Sequence, residues 1–178
     1  MQVIPEDSPF RTGLEEVKKW HVENEDWEVT RRLIKENYLK YPAVVEHPFF
    51  QEVSAMINGL MGAMAVLYGD GDFIKTTGIA VSAGYDCDNQ GATCAGFIGV
   101  LNGAGTIPKE LTHEIGYQEV WDLPFNDQYI NYSRDGIPNM TPISEIIDRI
   151  LAVTEQAIIQ EGGKITEVDG KKAYMIKI

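Results

Sequence analysis

The sequence has few residues of the kinds that form disulfides or bind soft metals. Its two cysteines, Cys87 and Cys94, lie seven residues apart in one segment of small residues, and its three histidines are widely separated. No Cys-x-x-Cys pair or histidine-rich spacing occurs. Disulfide frameworks and zinc sites need such spacings, so neither is expected. The cysteines are predicted to be reduced and to act as small apolar residues that fill a core.

Basic charge and long apolar runs are also scarce. The chain has 15 Lys and Arg residues and 27 Asp and Glu residues, which gives a formal net charge of −12. This charge disfavours nucleic-acid binding, which needs clustered cations. The strongly apolar uncharged stretch that begins at Val53 is shorter than the roughly 20 residues that span a bilayer. The first residues lack the basic leader and apolar core of a secretory signal. We therefore expect no nucleic-acid or membrane partner and a cytoplasmic location.

Apolar residues recur at helical spacing along most of the chain, which predicts a mainly α fold. Helices are expected over about residues 13–22, 27–39, 50–68, 73–83 and 92–101, with a last one after residues 141–142 that reaches residue 163. Thr12 followed by Glu15 has the form of a capping box for the first helix. Thr141, followed by Pro142, is expected to cap the last.

The end of the chain has a different pattern. Asp169-Gly170 is a favoured two-residue hairpin turn, and it separates two short segments suited to β-strands. An isolated hairpin is only marginally stable, so it should pack on a helix or on a partner. The sequence thus predicts a helical domain over residues 1–163 and a small β-hairpin, residues 164–178, packed on it.

The most informative motif is Asp86-Cys87-Asp88-Asn89, which follows a glycine-terminated apolar segment and precedes a run of small residues. Two explanations stay open. Asp88 or Asn89 could simply cap the following helix, because Asp and Asn are favoured N-caps. The two carboxylates could instead bind a hard divalent cation through oxygen ligands. The repeated glycines of the run, each costing roughly 1 kcal/mol against alanine inside a helix, indicate close approach of another helix or of a ligand.

The motif and its surroundings resemble the carboxy-terminal signature of the ADP-ribosylglycohydrolase family, over about residues 40–112. The segments that carry the resemblance are Leu67-Tyr68-Gly69, Gly71-Asp72-Phe73, Ala83-Gly84, Asp86-x-Asp88, Gly91-Ala92-Thr93, Gly103-Ala104 and Ile107-Pro108. The resemblance implies a helical bundle and a magnesium-dependent hydrolase. Such an enzyme cleaves the N- or O-glycosidic bond of ADP-ribose, or of a related group, on a protein or a small molecule.

The resemblance also implies which residues bind metal. Asp86 and Asp88, with Asn89, would hold one or two Mg²⁺ ions, for which Mn²⁺ can substitute. Asn89 stands where the family has Thr or Ser, but an amide oxygen can also ligate a hard cation.

Other parts of the family's site are missing from the sequence. The remaining metal ligands, a Thr or Ser followed by two aspartates, and the acidic catalytic residue belong to an amino-terminal half, and no Thr-Asp-Asp or Ser-Asp-Asp occurs here. We therefore expect the carboxy-terminal portion of a larger hydrolase, completed by that half or by a second subunit, with its catalytic residue unknown. The alternative is a non-catalytic helical module that binds a partner or an ADP-ribose-like ligand.

Overall fold

A computed structural model describes residues 3–39, 53–112, 127–131 and 136–177. It divides the chain into two compact units, residues 1–108 and residues 109–178. The sequence analysis instead predicts a boundary after residue 163, between a helical domain and the hairpin. That boundary stays a prediction. Within the described ranges, no helix has the length and apolarity that crossing a bilayer requires.

Both units are built from short elements. The first contains α1 (Pro9–Glu23), α2 (Trp27–Tyr38), α3 (Ala55–Gly69), α4 (Phe73–Ser82), α5 (Cys87–Asn102) and a 3₁₀ turn (Ala104–Thr106). The second contains α6 (Lys109–Thr112), β1 (Gln128–Ile130), β2 (Met140–Pro142), α7 (Ile143–Gln160), β3 (Lys164–Val168) and β4 (Lys171–Met175). The predicted mainly α fold is confirmed.

Helix α3 is the centre of the first unit. It contacts α1, α2, α4 and α5, and its buried apolar residues include Ile57, Leu60, Met61 and Met64. A helix that is apolar around most of its circumference must be covered on most sides, so the sequence predicts this position. The helix begins after Ser54, whose Oγ accepts a hydrogen bond from the Ile57 N–H at 3.3 Å. The predicted start near residue 50 lies outside the described residues.

The turn from α3 to α4 follows the predicted glycine and aspartate pattern. Asp70 and Gly71 both have left-handed backbone angles, with φ of 52° and 79°. Asp72 then caps α4, because its Oδ1 accepts a hydrogen bond from the Lys75 N–H at 2.6 Å. Helix α4 therefore folds back against α3.

Two of the predicted helix caps are wrong. Helix α1 begins at Pro9 with Ser8 as its N-cap residue, so Thr12 lies inside the helix and forms no capping box with Glu15. Proline suits a first helical position because the N–H it lacks would have no helical partner there. Helix α7 begins at Ile143, and Thr141 belongs to strand β2 instead of capping the helix.

The second unit has two antiparallel strand pairs. Strand β1 pairs with β2, with Tyr129 opposite Thr141, a pairing that the sequence analysis missed. Strands β3 and β4 form the predicted hairpin, and its turn residues Asp169 and Gly170 have φ of 51° and 74°. The hairpin packs on α7, as expected for so short a structure.

A glycine in α3 sets how closely α4 can approach. A Cβ atom added to Gly69 would lie 2.7 Å from Cβ and 2.8 Å from Cα of Thr76, and it would collide with the hydroxyl of that residue. We expect Gly69→Ala to lower the free energy of unfolding by about 1–3 kcal/mol, since backbone must move to relieve the overlap. Urea unfolding of the two proteins measures the difference.

Gly78→Ala is the matched control, because an added Cβ there meets open space on the exposed side of α4. It is expected to raise the free energy of unfolding by about 0.5–1 kcal/mol through the lower entropy of its unfolded chain. Equal stability of the two alanine variants would contradict the close packing at Gly69.

One carboxylate holds the hairpin on α7. Glu155 Oε1 accepts hydrogen bonds from Lys172 Nζ at 2.6 Å and from the Tyr174 hydroxyl at 2.8 Å. These bonds, with that from Lys172 the larger cause, lower the pKa of Glu155. A lowered pKa in the folded state contributes stability above the ordinary glutamate pKa, and this stability is lost as the pH falls through the folded value.

We therefore expect the hairpin of the wild-type protein to loosen progressively at acidic pH. Glu155→Gln should loosen it already at neutral pH and make its order nearly independent of pH in this range. Amide protection factors of residues 164–175, measured by NMR between neutral and acidic pH, check both expectations. Glu161→Gln, at the end of the same helix, is the control and should behave as wild type.

Candidate metal site

The acidic motif begins in the short connection between α4 and α5. Gly84 and Tyr85 both have left-handed backbone angles, with φ of 81° and 62°, and Asp86 is the N-cap residue of α5. Two successive left-handed residues turn the chain sharply after α4. A tyrosine rarely adopts this conformation, so surrounding contacts must hold it there.

Side chains from two other helices bind this connection. Arg31 of α2 donates from Nε to the Ala83 carbonyl oxygen at 2.6 Å, and its guanidinium carbon lies 5.5 Å from the centre of the Tyr85 ring. Asn58 of α3, which is 3% exposed, accepts a hydrogen bond from the Asp86 N–H at 3.0 Å. The backbone on both sides of Tyr85 is thus tied to the bundle.

The structure brings Asp86 and Asp88 together. Asp86 is half-buried and Asp88 is exposed. Partial burial raises the pKa of Asp86, and so, to a smaller extent, do a hydrogen bond with the Asp88 side chain and the charge of Asp88. In the described part of the chain, the Asp86 side chain makes no capping bond to an α5 N–H. Its oxygens therefore face the neighbouring carboxylate and solvent.

The capping explanation for Asp88 or Asn89 is wrong. Helix α5 begins at Cys87, five residues before the predicted start, so these two residues lie inside the first turn. Asn89 is exposed, and its Oδ1 accepts a hydrogen bond from Gln90 Nε2 at 3.4 Å.

Small residues explain how α5 approaches α3, as the sequence predicts. Gly91 is buried, and a Cβ added to Gly62 of α3 would collide with the Gln90 side chain. Cys94 is buried against the same glycine, its Sγ 3.6 Å from the Gly62 carbonyl oxygen, and burial raises the pKa of its thiol. Both cysteines are free, as expected. Added Cβ atoms at Gly96 and Gly99, in contrast, would meet open space.

The side chains of Asp86, Asp88 and Asn89 offer some of the ligands that a hard cation needs. Two adjacent carboxylates and a nearby amide offer only oxygen atoms, which Mg²⁺ and Mn²⁺ prefer. Among the described residues, no cluster of three or more His, Cys, Asp or Glu side chains surrounds them. Mg²⁺ commonly keeps several water ligands, so two carboxylates can suffice as protein ligands where a substrate or a second protein part supplies others.

The comparison with protein families identifies the class of protein. A family described as ADP-ribosylglycohydrolase matches residues 1–138, which include Asp86, Asp88 and Asn89. The chain therefore belongs to the ADP-ribosylglycohydrolase family. The match lies in the amino-terminal part of the chain, not in its carboxy-terminal part, and it ends before α7. No curated protein and no solved structure matches the chain significantly.

Two residues of the site were not identified from the sequence. Asn58 could have been found, because it is a polar residue within an otherwise apolar helix, where a buried amide needs hydrogen-bond partners. Arg31 carries no such signal, since it is one of several charged residues along α2. Only the fold shows that it reaches Ala83.

The raised pKa of Asp86 predicts a pH-dependent effect of neutralising it. The folded protein binds this proton more tightly than the unfolded chain does, so ionisation of Asp86 lowers stability as the pH rises through the raised pKa. We expect Asp86→Asn to be more stable than wild type at pH 7 and the difference to vanish at acidic pH. Urea unfolding at both pH values measures it.

Asp70→Asn is the control, because asparagine also accepts the left-handed conformation of that residue. Its stability relative to wild type should change little between the two pH values. An Asp86→Asn protein that is less stable than wild type at pH 7 would contradict the raised pKa of Asp86.

Proposed function

We propose that this chain supplies the Asp-x-Asp part of a magnesium-dependent hydrolase that cleaves the glycosidic bond of ADP-ribose or of a related group. The observation that carries the proposal is that the family match covers Asp86 and Asp88, whose side chains meet at the start of α5. The expected substrate is an ADP-ribosylated protein or small molecule, and the expected location is the cytoplasm.

In this proposal, Asp86 and Asp88 hold the cation and Asn89 offers a further oxygen. Partial burial, and to a smaller extent the neighbouring Asp88, raise the pKa of Asp86, and a divalent cation bound by the two carboxylates would compensate their negative charge. When bound, the metal would orient the ribose hydroxyls and polarise the scissile bond or the attacking water. Metal ligation requires the carboxylates in their deprotonated form.

We further propose that the remaining ligands and the catalytic acid come from another part of the family's fold or from a second subunit. The support is that, in the described ranges, the pair meets no third acidic or histidine side chain that would complete a cluster. The same observation favours the second candidate function, a binding module without catalysis. Analytical ultracentrifugation distinguishes them in part, because a stable monomer without exposed apolar surface would count against a missing half.

The direct test is a calorimetric titration of Mg²⁺ and Mn²⁺ into this chain. We expect saturable binding that the double variant Asp86→Asn, Asp88→Asn abolishes, because neutral amides are much weaker ligands than carboxylates. Circular dichroism of the two proteins must agree, and Asp70→Asn, which removes a carboxylate elsewhere, should bind as wild type does. Undiminished binding in the double variant would refute the assigned ligands.

A second arm tests the reaction. In the complete protein, Asp86→Asn should abolish metal-dependent release of ADP-ribose while the fold is retained. Metal binding by this chain without any hydrolysis by the complete protein would favour the non-catalytic module.

A further inference from the structure

We infer that Arg31 and Asn58 are positioning residues that lock the α4–α5 connection, so that Asp86 and Asp88 are presented together to a cation. The locking follows from the contacts that Arg31 and Asn58 make. The consequence for metal binding rests on the proposed function.

Arg31 directs its whole guanidinium group toward the connection. Nε donates to the carbonyl oxygen of Ala83, the residue that ends α4, and Nη2 lies 3.5 Å from the position of a Cβ on Gly84. Carbonyl groups at a helix end have no partner within the helix, and a cation is favoured there. Arg31 therefore fixes the point at which the chain leaves α4.

Tyr85 is held in one backbone conformation within the connection. Its φ of 62° is unusual for a residue with a large side chain, and such a conformation persists only where the surroundings hold it. Its ring lies under the Arg31 guanidinium, a favourable cation–π contact. One side chain thus holds both the backbone before Tyr85 and the ring of Tyr85.

Asn58 fixes the other side of the connection. Its Oδ1 accepts from the Asp86 N–H at 3.0 Å, while its Nδ2 donates to the Ser54 carbonyl oxygen at 3.1 Å. The bond to Ser54 sets which way the amide group points, so the acceptor oxygen is directed at Asp86. Because Asn58 is buried in α3, the first residue of the acidic motif is tied to the centre of the bundle.

The charge of Arg31 gives this inference a sharp test. A guanidinium near the acidic pair repels a bound metal ion, so if Arg31 acted only by its charge, removing it would tighten metal binding. If Arg31 positions the connection, removing it lets the two carboxylates separate and weakens binding. The two roles predict changes of opposite sign.

The experiment measures Mn²⁺ affinity by the electron paramagnetic resonance signal of the free ion. We expect Arg31→Met to weaken binding at least tenfold and Arg31→Lys, which keeps the charge and a donor, to recover part of the loss. Arg32→Met removes the same charge from the next, exposed position of α2 and should bind as tightly as wild type or more tightly. Equal or tighter binding by Arg31→Met than by Arg32→Met would overturn the inference.

A second readout needs no metal. Amide hydrogen exchange at residues 84–86 should accelerate in Arg31→Met and in Asn58→Leu, which lacks the acceptor. Amides in the middle of α3 should be unchanged in Arg31→Met. A residue that merely stabilised the fold would instead accelerate exchange throughout α2 and α4 and leave the Mn²⁺ affinity unaltered, which would also overturn the inference.

These readouts separate the two proposals. If wild type does not bind Mn²⁺, the metal part of the proposed function fails for this chain, and exchange at residues 84–86 alone decides whether the connection is locked. Unchanged exchange there in Arg31→Met would then refute the locking. If Asn58→Leu does not fold, the Arg31 variants decide the outcome.

Discussion

The burial of α3 is the constraint on which the first unit depends. Four of the helices that the structure describes contact it, so each polar group within it must find a partner in the bundle or lie at the surface. Tyr68 meets this requirement by sharing its hydroxyl with Thr30 Oγ1 at 2.7 Å and with the Asn24 carbonyl oxygen at 2.7 Å. Asn58 meets it through the Ser54 carbonyl and the Asp86 amide. The hydrogen bond between Asn58 and the Asp86 N–H therefore connects the candidate site to the core. Its loss would be costly, because the buried Asn58 amide would be left without this partner.

The same constraint explains the conflict within the acidic pair. The connection between α4 and α5 is short because both helices pack on α3, and it brings Asp86 close to Asp88 although their charges repel. A carboxylate with a raised pKa beside a second carboxylate is a feature that functional sites often have. A divalent cation is the ligand that would remove this particular repulsion.

The sequence predicted those features that a local pattern encodes. The apolar circumference of α3, the Gly69–Asp72 turn and the Asp169-Gly170 hairpin follow from periodicity and turn chemistry, which act over a few residues. The start of α5 was misplaced because its first turn, from Cys87 onward, is polar and lacks the apolar spacing that marks a helix. The β1–β2 pair was missed because three-residue strands carry too little alternation to be distinguished.

In the candidate site, only the two carboxylates could be predicted from the sequence. Asp86 and Asp88 are separated by one residue, so the pair could be seen there, whereas the residues that contact the connection lie some 28 and 55 residues before Asp86. Arg31 in particular has the appearance of a solvent-exposed helix residue until the fold places Ala83 beside it. Contacts between distant segments depend on packing, and no local pattern specifies them.

The two faces of α5 differ in a way that bears on the missing ligands. Its inner face packs on α3 and α4, while Phe97, Val100 and Leu101 on its outer side are 60%, 89% and 68% exposed. Clustered apolar exposure of this kind marks surfaces that another protein part covers, and the open space at Gly96 and Gly99 leaves room for close approach. At a rise of about 1.5 Å per residue, Phe97 lies roughly 14 Å along the helix from Asp88. The rotation of about 100° per residue also places Phe97 on the opposite side of α5 from Asp88, so a polypeptide packed on this apolar face is not by that alone beside the Asp88 carboxylate.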